Sequence, residues 1–354
     1  MTFHADSNLQ ELSIDHVVMY VEDLDVAARE FARAYGFEAY ATAERLGETK
    51  SVAIGRGRIS LVLTQALAED HRAAVYQRQH GDGVATIALT APDAAAAFAE
   101  AVRRGAQPVA EPAEEDGVIT ATIASFGDVQ HTFVQRREGT SSRHLPGFTP
   151  MSERRSEVDS GLLEVDHFAV CLEAGLLGPT LEFYERVLGF RNTFTEKIVV
   201  GAQAMNSEVV QLPSGAVTLT LIEPDTSREP GQIDHFIKNH GGSGVQHIAF
   251  RTEDIVKSVS TMSHQGVDFL AAPAAYYQML GNRLRLVRHS TAELGVLNIL
   301  ADADYEGQLF QIFTRSVHPR STLFFEVIER AGATTFGSGN IKALYEAVET
   351  EQLR

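Results

Sequence analysis

A single cysteine, Cys171, occurs in the 354 residues. No intrachain disulfide can form, and a thiolate-rich zinc site is excluded. This scarcity fits a reducing cytoplasm, which is the expected location. Cys171 follows Ala169 by two positions in an apolar run and reads as a small buried hydrophobe, not a nucleophile. Long apolar runs are missing too. No stretch reaches the roughly 18 residues that a membrane helix needs. The opening "MTFHADSNLQELSIDH" lacks the apolar segment of a secretory signal. Positive charge is in deficit: 30 Lys and Arg against 47 Asp and Glu give a net charge of -17. Such a surface repels phosphate backbones and anionic lipid, so neither nucleic acid nor a membrane is an expected partner. The one basic cluster, "SERRSE", is bracketed by acids and reads as solvated linker.

What the chain does contain is repetition. "SIDHVVMYVEDLDVAAREFARAYGFEAY" (from Ser13) resembles "EVDHFAVCLEAGLLGPTLEFYERVLGFRNTF" (from Glu164). Each reads as a strand with Asp-His near its start, a loop, an amphipathic helix and a Gly-Phe stop. A second pair, from His80 and from His240, reads as a Gly-rich turn, a strand, a helix and a Gly stop. "PDAAAAFAEAVRRG" shows the helix signals plainly, with Asp at its start and Gly past its end. Alternating segments such as "GRISLVLTQ" and "GAVTLTLIEP" follow as strands. The unit is therefore βαβββ, used four times in two halves, an α+β architecture. The expected boundaries are an N-terminal domain at 1–136, a linker at 137–161 rich in Gly, Pro and Ser, and a C-terminal catalytic domain at 162–354.

Comparison of the halves points to the chemistry. His167 in one half matches His16 in the other, but His247 is matched by Thr86. Glu326, in the strand "TLFFEVIER", falls opposite a position near Thr132 in "QHTFVQRRE". The fold alone thus requires neither His247 nor Glu326. A lone histidine in an apolar strand is ordinarily a hydrogen-bonded core residue, and His16 is read that way. Glu326 is harder to explain as core: its neighbours Phe324, Phe325, Val327 and Ile328 are apolar, and an ionised carboxylate among them needs a partner or a cation. His167, His247 and Glu326 come from three strands that can converge inside a curved sheet. Two imidazoles and a carboxylate form the facial triad of non-haem Fe(II) oxygenases. Zinc accepts the same donors, so the set by itself leaves the metal open.

The motifs "VDHFAV", "AMNSEVV", "GVQHIAF", "GQLFQIFT", "FFEVIER" and "FGSGNIKALYEAVE" together carry a family resemblance. The chain resembles the vicinal-oxygen-chelate, extradiol-dioxygenase-like proteins, built as open barrels from paired modules. More narrowly, it resembles the 4-hydroxyphenylpyruvate dioxygenase and 4-hydroxymandelate synthase family over nearly its whole length. The resemblance implies Fe(II) on His167, His247 and Glu326, with those three as the catalytic centre and no metal in the N-terminal half. It implies an arylpyruvate substrate and O2, with the substrate's own 2-oxo acid decarboxylated as the same molecule is hydroxylated. Ser207, Gln232, Gln246 and Gln311 match positions that face the substrate in the family. Phe313 and Phe324 are expected as pocket walls. Asn340 is expected near the substrate or as a helix cap, and the Gly-hinged C-terminal helix is expected to close the pocket. A homodimer or homotetramer is also implied.

Two departures bear on the product. Relatives that hydroxylate the ring to homogentisate carry Pro-x-Asn where this chain has Thr220-Leu221-Ile222, and Phe where it has Ile341. At both places the chain resembles the mandelate-forming members, so the expected product is 4-hydroxymandelate, a precursor of 4-hydroxyphenylglycine for peptide antibiotics. Homogentisate formation is the nearest alternative. Extradiol cleavage of a catechol and non-enzymatic small-molecule binding are more remote. The remaining histidines, His235, His240, His264, His289 and His318, are read as surface residues.

Overall fold

The computed structural model describes residues 5–152, 156–336 and 340. Arg154 and Arg155 of the basic cluster, Ile341 and most of the expected closing helix lie outside the described residues.

A short helix, α1 (Ala5–Gln10), precedes the first module, which runs β1 (Ser13–Tyr20), α2 (Leu24–Tyr35), β2 (Glu38–Arg45), β3 (Thr49–Arg56) and β4 (Ile59–Ala66). Helix α3 (Arg72–His80) leads to the second: β5 (Gly83–Thr90), α4 (Ala94–Arg103), β6 (Pro108–Glu115), β7 (Val118–Ala124) and β8 (Gln130–Arg136). After the short strand β9 (Thr149–Pro150) comes the third: β10 (Leu162–Cys171), α5 (Leu177–Glu182), β11 (Arg191–Val200), β12 (Gln203–Gln211) and β13 (Thr218–Pro224). Helix α6 (Gln232–His240) leads to the fourth: β14 (Gly244–Thr252), α7 (Ile255–His264), two inserted helices α8 (Ala274–Arg283) and α9 (Thr291–Val296), then β15 (Leu300–Ala303), β16 (Gln308–Phe313) and β17 (Phe324–Ala331). The four βαβββ units are the repeats seen in the sequence, and they form two curled half-barrel sheets of the vicinal-oxygen-chelate type.

The helices start where the sequence caps them. Asp23, Asp93 and Asp254 each accept a hydrogen bond at 2.9 Å from an amide three residues on, satisfying a donor left free by the first turn. In each sheet two modules join through a central antiparallel pair, β1 with β5 and β10 with β14. The parallel partners β8 and β17 then flank that pair. Both sheets bulge at the same place: Ala85 and Gln246 are the extra residues of β5 and β14.

The halves share one hydrophobic core. Phe31, Tyr35 and Phe37 of the first half pack against Phe250 and Phe325 of the second, with ring centroids 5.3 to 5.7 Å apart. Gly57 and Gly127 have φ of 56° and 52°, and a side chain at either would run into the carbonyl of Leu163 or Ser243 across the seam. Part of the 137–161 stretch is built into the first half. Strand β9 adds to β2, while Leu145 and Phe148 pack with Tyr40, Ala41, Ala53 and Val62. The surface reading of the remaining histidines needs correction. His240 is buried and stacks on His80 across the seam at 4.2 Å, and His289 Nε2 lies 2.8 Å from the buried Glu329. Polar flanking sequence does not reveal such partners, because they come from other modules. No helix among the described residues is long and apolar enough to cross a membrane.

His131 on β8 is fully enclosed, with Nε2 2.9 Å from the Tyr184 hydroxyl of the other half and Nδ1 3.1 Å from the Ile87 carbonyl. Burial disfavours its charged form and pushes its pKa down from 6.5 to about 4. Between those values the unfolded chain binds the proton and the folded chain does not. Stability is therefore lost as pH falls through this window, by about 3 kcal/mol at most for this group. His240, also depressed to about 4 by burial, adds to the slope. Urea unfolding from pH 7 to 4 should show a shallower pH dependence in His131→Gln than in the parent. An unchanged slope would show that His131 does not contribute.

Candidate metal centre

The ladder register sets the site. His167 pairs with Ala249, and Ala249 pairs with Glu326, so the three lie abreast on β10, β14 and β17. His247 is two residues before Ala249 and so points to the same face. In the other half the identical register reads His16, Ala88, Thr132 with Thr86 two before. Thr132 thus stands where Glu326 does, and Thr86 where His247 does.

On this face Nε2 of His167 and Nε2 of His247 lie 3.3 and 3.2 Å from the same oxygen, Glu326 Oε2. All three residues are buried and offer one ligand atom each within 4.8 Å of one another. Donors about 2.1 Å from an ion and at right angles to one another lie about 3.0 Å apart, so the spacing fits a first-row divalent cation. The other carboxylate oxygen, Oε1, accepts from Gln311 Nε2 at 2.9 Å, which leaves Oε2 for the cluster. Gln311 Oε1 in turn accepts from Asn340 Nδ2 at 2.8 Å.

The two imidazoles are held differently. His167 Nδ1 lies 2.9 Å from Asp166 Oδ1, a partner that fixes the ring and leaves Nε2 as the nitrogen facing the cluster. His247 Nδ1 is buried with no hydrogen-bond partner among the described residues. Its ring is positioned by packing, stacked on Phe324 at 4.9 Å and edge-on to Phe313 at 5.9 Å. Burial opposes charge on all three ligands, but their mutual attraction outweighs it at two. Glu326 is drawn down to about 2, chiefly by His167, and His167 is held up at about 9, chiefly by Glu326. At His247 burial prevails and the pKa is lowered. A bound cation would supply the compensation that the Glu326 carboxylate needs.

A small pocket opens over the cluster, with a cavity of about 30 Å³. Its lining follows the two-residue period of the strands: His167 and Ala169 on β10, Ser207 on β12, Thr220 and Ile222 on β13, Gln311 and Phe313 on β16. Ile198 and Phe336 complete the wall. The Thr220 hydroxyl is buried without a partner among the described residues. Of the residues expected at the substrate, Ser207, Thr220, Ile222, Gln311 and Phe313 therefore line the pocket. Phe324 backs His247 without lining it. Asn340 touches Gln311, and Ile341 lies outside the described residues. Gln246 is the extra residue of the β14 bulge, and Gln232 sits in the first turn of α6. Both are buried outside the lining.

Three features of the site were not read from the sequence: Ile198, Phe336 and the Asp166–Arg330 pair behind His167. The pair did leave a signal. Asp precedes His in both halves, and Arg follows four residues after both Thr132 and Glu326. Arg330 grips Asp166 through Nε and Nη2 at 2.8 and 2.7 Å. Burial would raise the Asp166 carboxyl, but Arg330 and His167 hold it well below the usual carboxylate range.

Comparison with known proteins places the chain. A model of the N-terminal part of hydroxyphenylpyruvate dioxygenase matches residues 16–145. One of the glyoxalase/bleomycin resistance protein/dioxygenase superfamily matches residues 167–283. A 4-hydroxyphenylpyruvate dioxygenase of Dictyostelium discoideum is 35% identical, with 96% of this chain and 97% of that protein covered. The Caenorhabditis elegans enzyme of the same name is 32% identical over 97% of this chain and 92% of its own. The chain belongs to the 4-hydroxyphenylpyruvate dioxygenase family. Among solved structures of this family, a triply substituted 4-hydroxymandelate synthase from Streptomyces coelicolor superposes with a TM-score of 0.85 and 39% identity, covering 96% of this chain and 98% of that one. A dioxygenase of the vicinal-oxygen-chelate type is thus the established class.

Removing the carboxylate should abolish metal binding. Anaerobic calorimetric titration with Fe(II) is expected to show a loss of more than about 100-fold in affinity for Glu326→Ala and for His247→Ala. Parent-like affinity in both variants would exclude the cluster as the metal site.

Proposed function

We propose that the protein is a 4-hydroxymandelate synthase that uses Fe(II) held by His167, His247 and Glu326. In the reaction 4-hydroxyphenylpyruvate and O2 give 4-hydroxymandelate and CO2. One oxygen atom enters the new carboxylate and the other the benzylic hydroxyl. When bound, the iron would chelate the 2-oxo acid and activate O2. The chain's own residues supply position and exclusion. Glu326 offers one oxygen to the cluster because Gln311 occupies the other. Asp166 aims His167, and Phe324 and Phe313 hold His247. The apolar wall of Ala169, Ile198, Ile222, Phe313 and Phe336 keeps water from the reacting carbon.

The observation that carries the choice of product is the β13 wall. Thr220 and Ile222 face the cluster side by side, and no amide stands there to bind the ring. An apolar Ile222 favours a pose in which the benzylic carbon faces the metal, and a shift of about 1 Å redirects such a reaction. The Thr220 hydroxyl, which has no partner among the described residues, is available to bind the substrate. The match to a mandelate synthase structure supports the same reading. Ring hydroxylation to homogentisate is the second reading, favoured by the names of the curated relatives. By resemblance, we also propose that the product serves 4-hydroxyphenylglycine and peptide antibiotic synthesis.

Protein loaded anaerobically with Fe(II) and 4-hydroxyphenylpyruvate and then exposed to O2 should yield hydroxymandelate by chromatography and mass spectrometry. Homogentisate as the main product would overturn the mandelate reading while leaving the iron centre standing. Ile222→Asn, alone and with Thr220→Pro, should raise the homogentisate share. A product ratio that does not move would remove this wall from the account of selectivity.

A further inference from the structure

The Asp–Arg clamp occurs twice, and each time it grips the chain that leaves its sheet. In the N-terminal half Arg136, at the end of β8, pairs with both oxygens of Asp15, whose Oδ1 is 2.6 Å from His16 Nδ1. Arg136 Nε also donates to the His144 carbonyl at 3.1 Å. Leu145 and Phe148 follow at once and pack with Tyr40, Ala41, Ala53 and Val62. In the C-terminal half Arg330, near the end of β17, holds Asp166 and donates through Nη1 to the Thr335 carbonyl at 2.7 Å. The next residue is Phe336. Its ring lies 5.2 Å under the Arg330 guanidinium and meets His167 edge-on at 4.6 Å, on the pocket wall. The turn is fixed from its other side by Asp304, whose Oδ2 accepts from the amides of Thr334 and Thr335 at 2.8 Å each.

We propose that Arg330, held by Asp166, is a positioning residue that couples the orientation of His167 to the seating of residues 333–336 over the pocket. The inference rests on the metal reading given above. One guanidinium serves two partners: the carboxylate that aims the ligand imidazole, and the carbonyl and ring of the segment that covers it. Displacing the segment loosens the clamp on Asp166, and Asp166 then no longer fixes the His167 ring. By reciprocity, a cation that fixes His167 favours the seated segment by the same factor. Lysine cannot replace the arginine here, because a point charge cannot span both oxygens and a carbonyl in one plane.

The test uses Co(II), which reports its ligand geometry by absorbance, together with amide hydrogen exchange in the peptide covering residues 331–336. In the parent, Co(II) should slow exchange at Thr334 and Thr335. In Arg330→Met and the milder Arg330→Lys, Co(II) affinity should fall about 10- to 100-fold, the usual effect of losing an outer-layer partner. The Co(II)-dependent protection should shrink with it. Arg136→Met is the matched control: it removes the same clamp from the half without the cluster, and it should leave both readouts at parent values. Arg330 variants with unchanged affinity and protection, or an Arg136 variant that loses as much, would overturn the coupling while the metal reading stands. A parent protein that binds neither Co(II) nor Fe(II) would overturn both.

Discussion

Burying the carboxylate of Glu326 is the constraint to which the C-terminal half answers. A charge on an interior strand, buried in the wall of a largely apolar pocket, is stable only if every oxygen is matched. One oxygen is taken by Gln311, and the other is shared between two imidazoles and the cation they can hold. Each partner is fixed in turn by something outside the cluster: Gln311 by Asn340, His167 by Asp166, His247 by two phenylalanine rings. The site is therefore a consequence of solving one desolvation problem with side chains from four strands and the segment after the sheet.

The two halves show what the fold demands and what the chemistry adds. Both keep the Asp-His pair, the arginine four residues after the flanking position and the bulge in the central strand. These belong to the architecture. Only one half keeps the second histidine and the carboxylate. The pairing of Ala88 with Thr132 and of Ala249 with Glu326 makes the difference a matter of side chains at equal positions, not of backbone.

Much of this was legible beforehand, and the reasons are specific. The four modules were readable because period-2 strands, Asp caps and glycine stops recur at matched spacings. The ligands His167, His247 and Glu326 stood out because the repeat let one half serve as a control for the other. Residues that depend on contacts between modules were hidden. Ile198 reaches the pocket from an edge strand with no motif around it. Phe336 arrives through a turn set by Asp304 and Arg330. Gln246, expected beside His247 as a substrate contact, proves to be the extra residue of the β14 bulge, a local irregularity that strand periodicity does not reveal, and its Oε1 is buried without a partner among the described residues. His240 looked exposed because its polar neighbours say nothing of the histidine stacked on it from the other half.

The packing of Leu145, Phe148 and Tyr40 makes the asymmetry of the molecule hard to reverse. Restoring a histidine at 86 and a carboxylate at 132 would rebuild the ligand list in the first half, since the backbone register is already correct. It would not by itself rebuild a reaction chamber, because Leu145 and Phe148 of the connecting chain pack against Ala41, Ala53 and Val62 on the same sheet. The first half is thus committed to support by its volume more than by its chemistry, and variation in catalysis is channelled into the second.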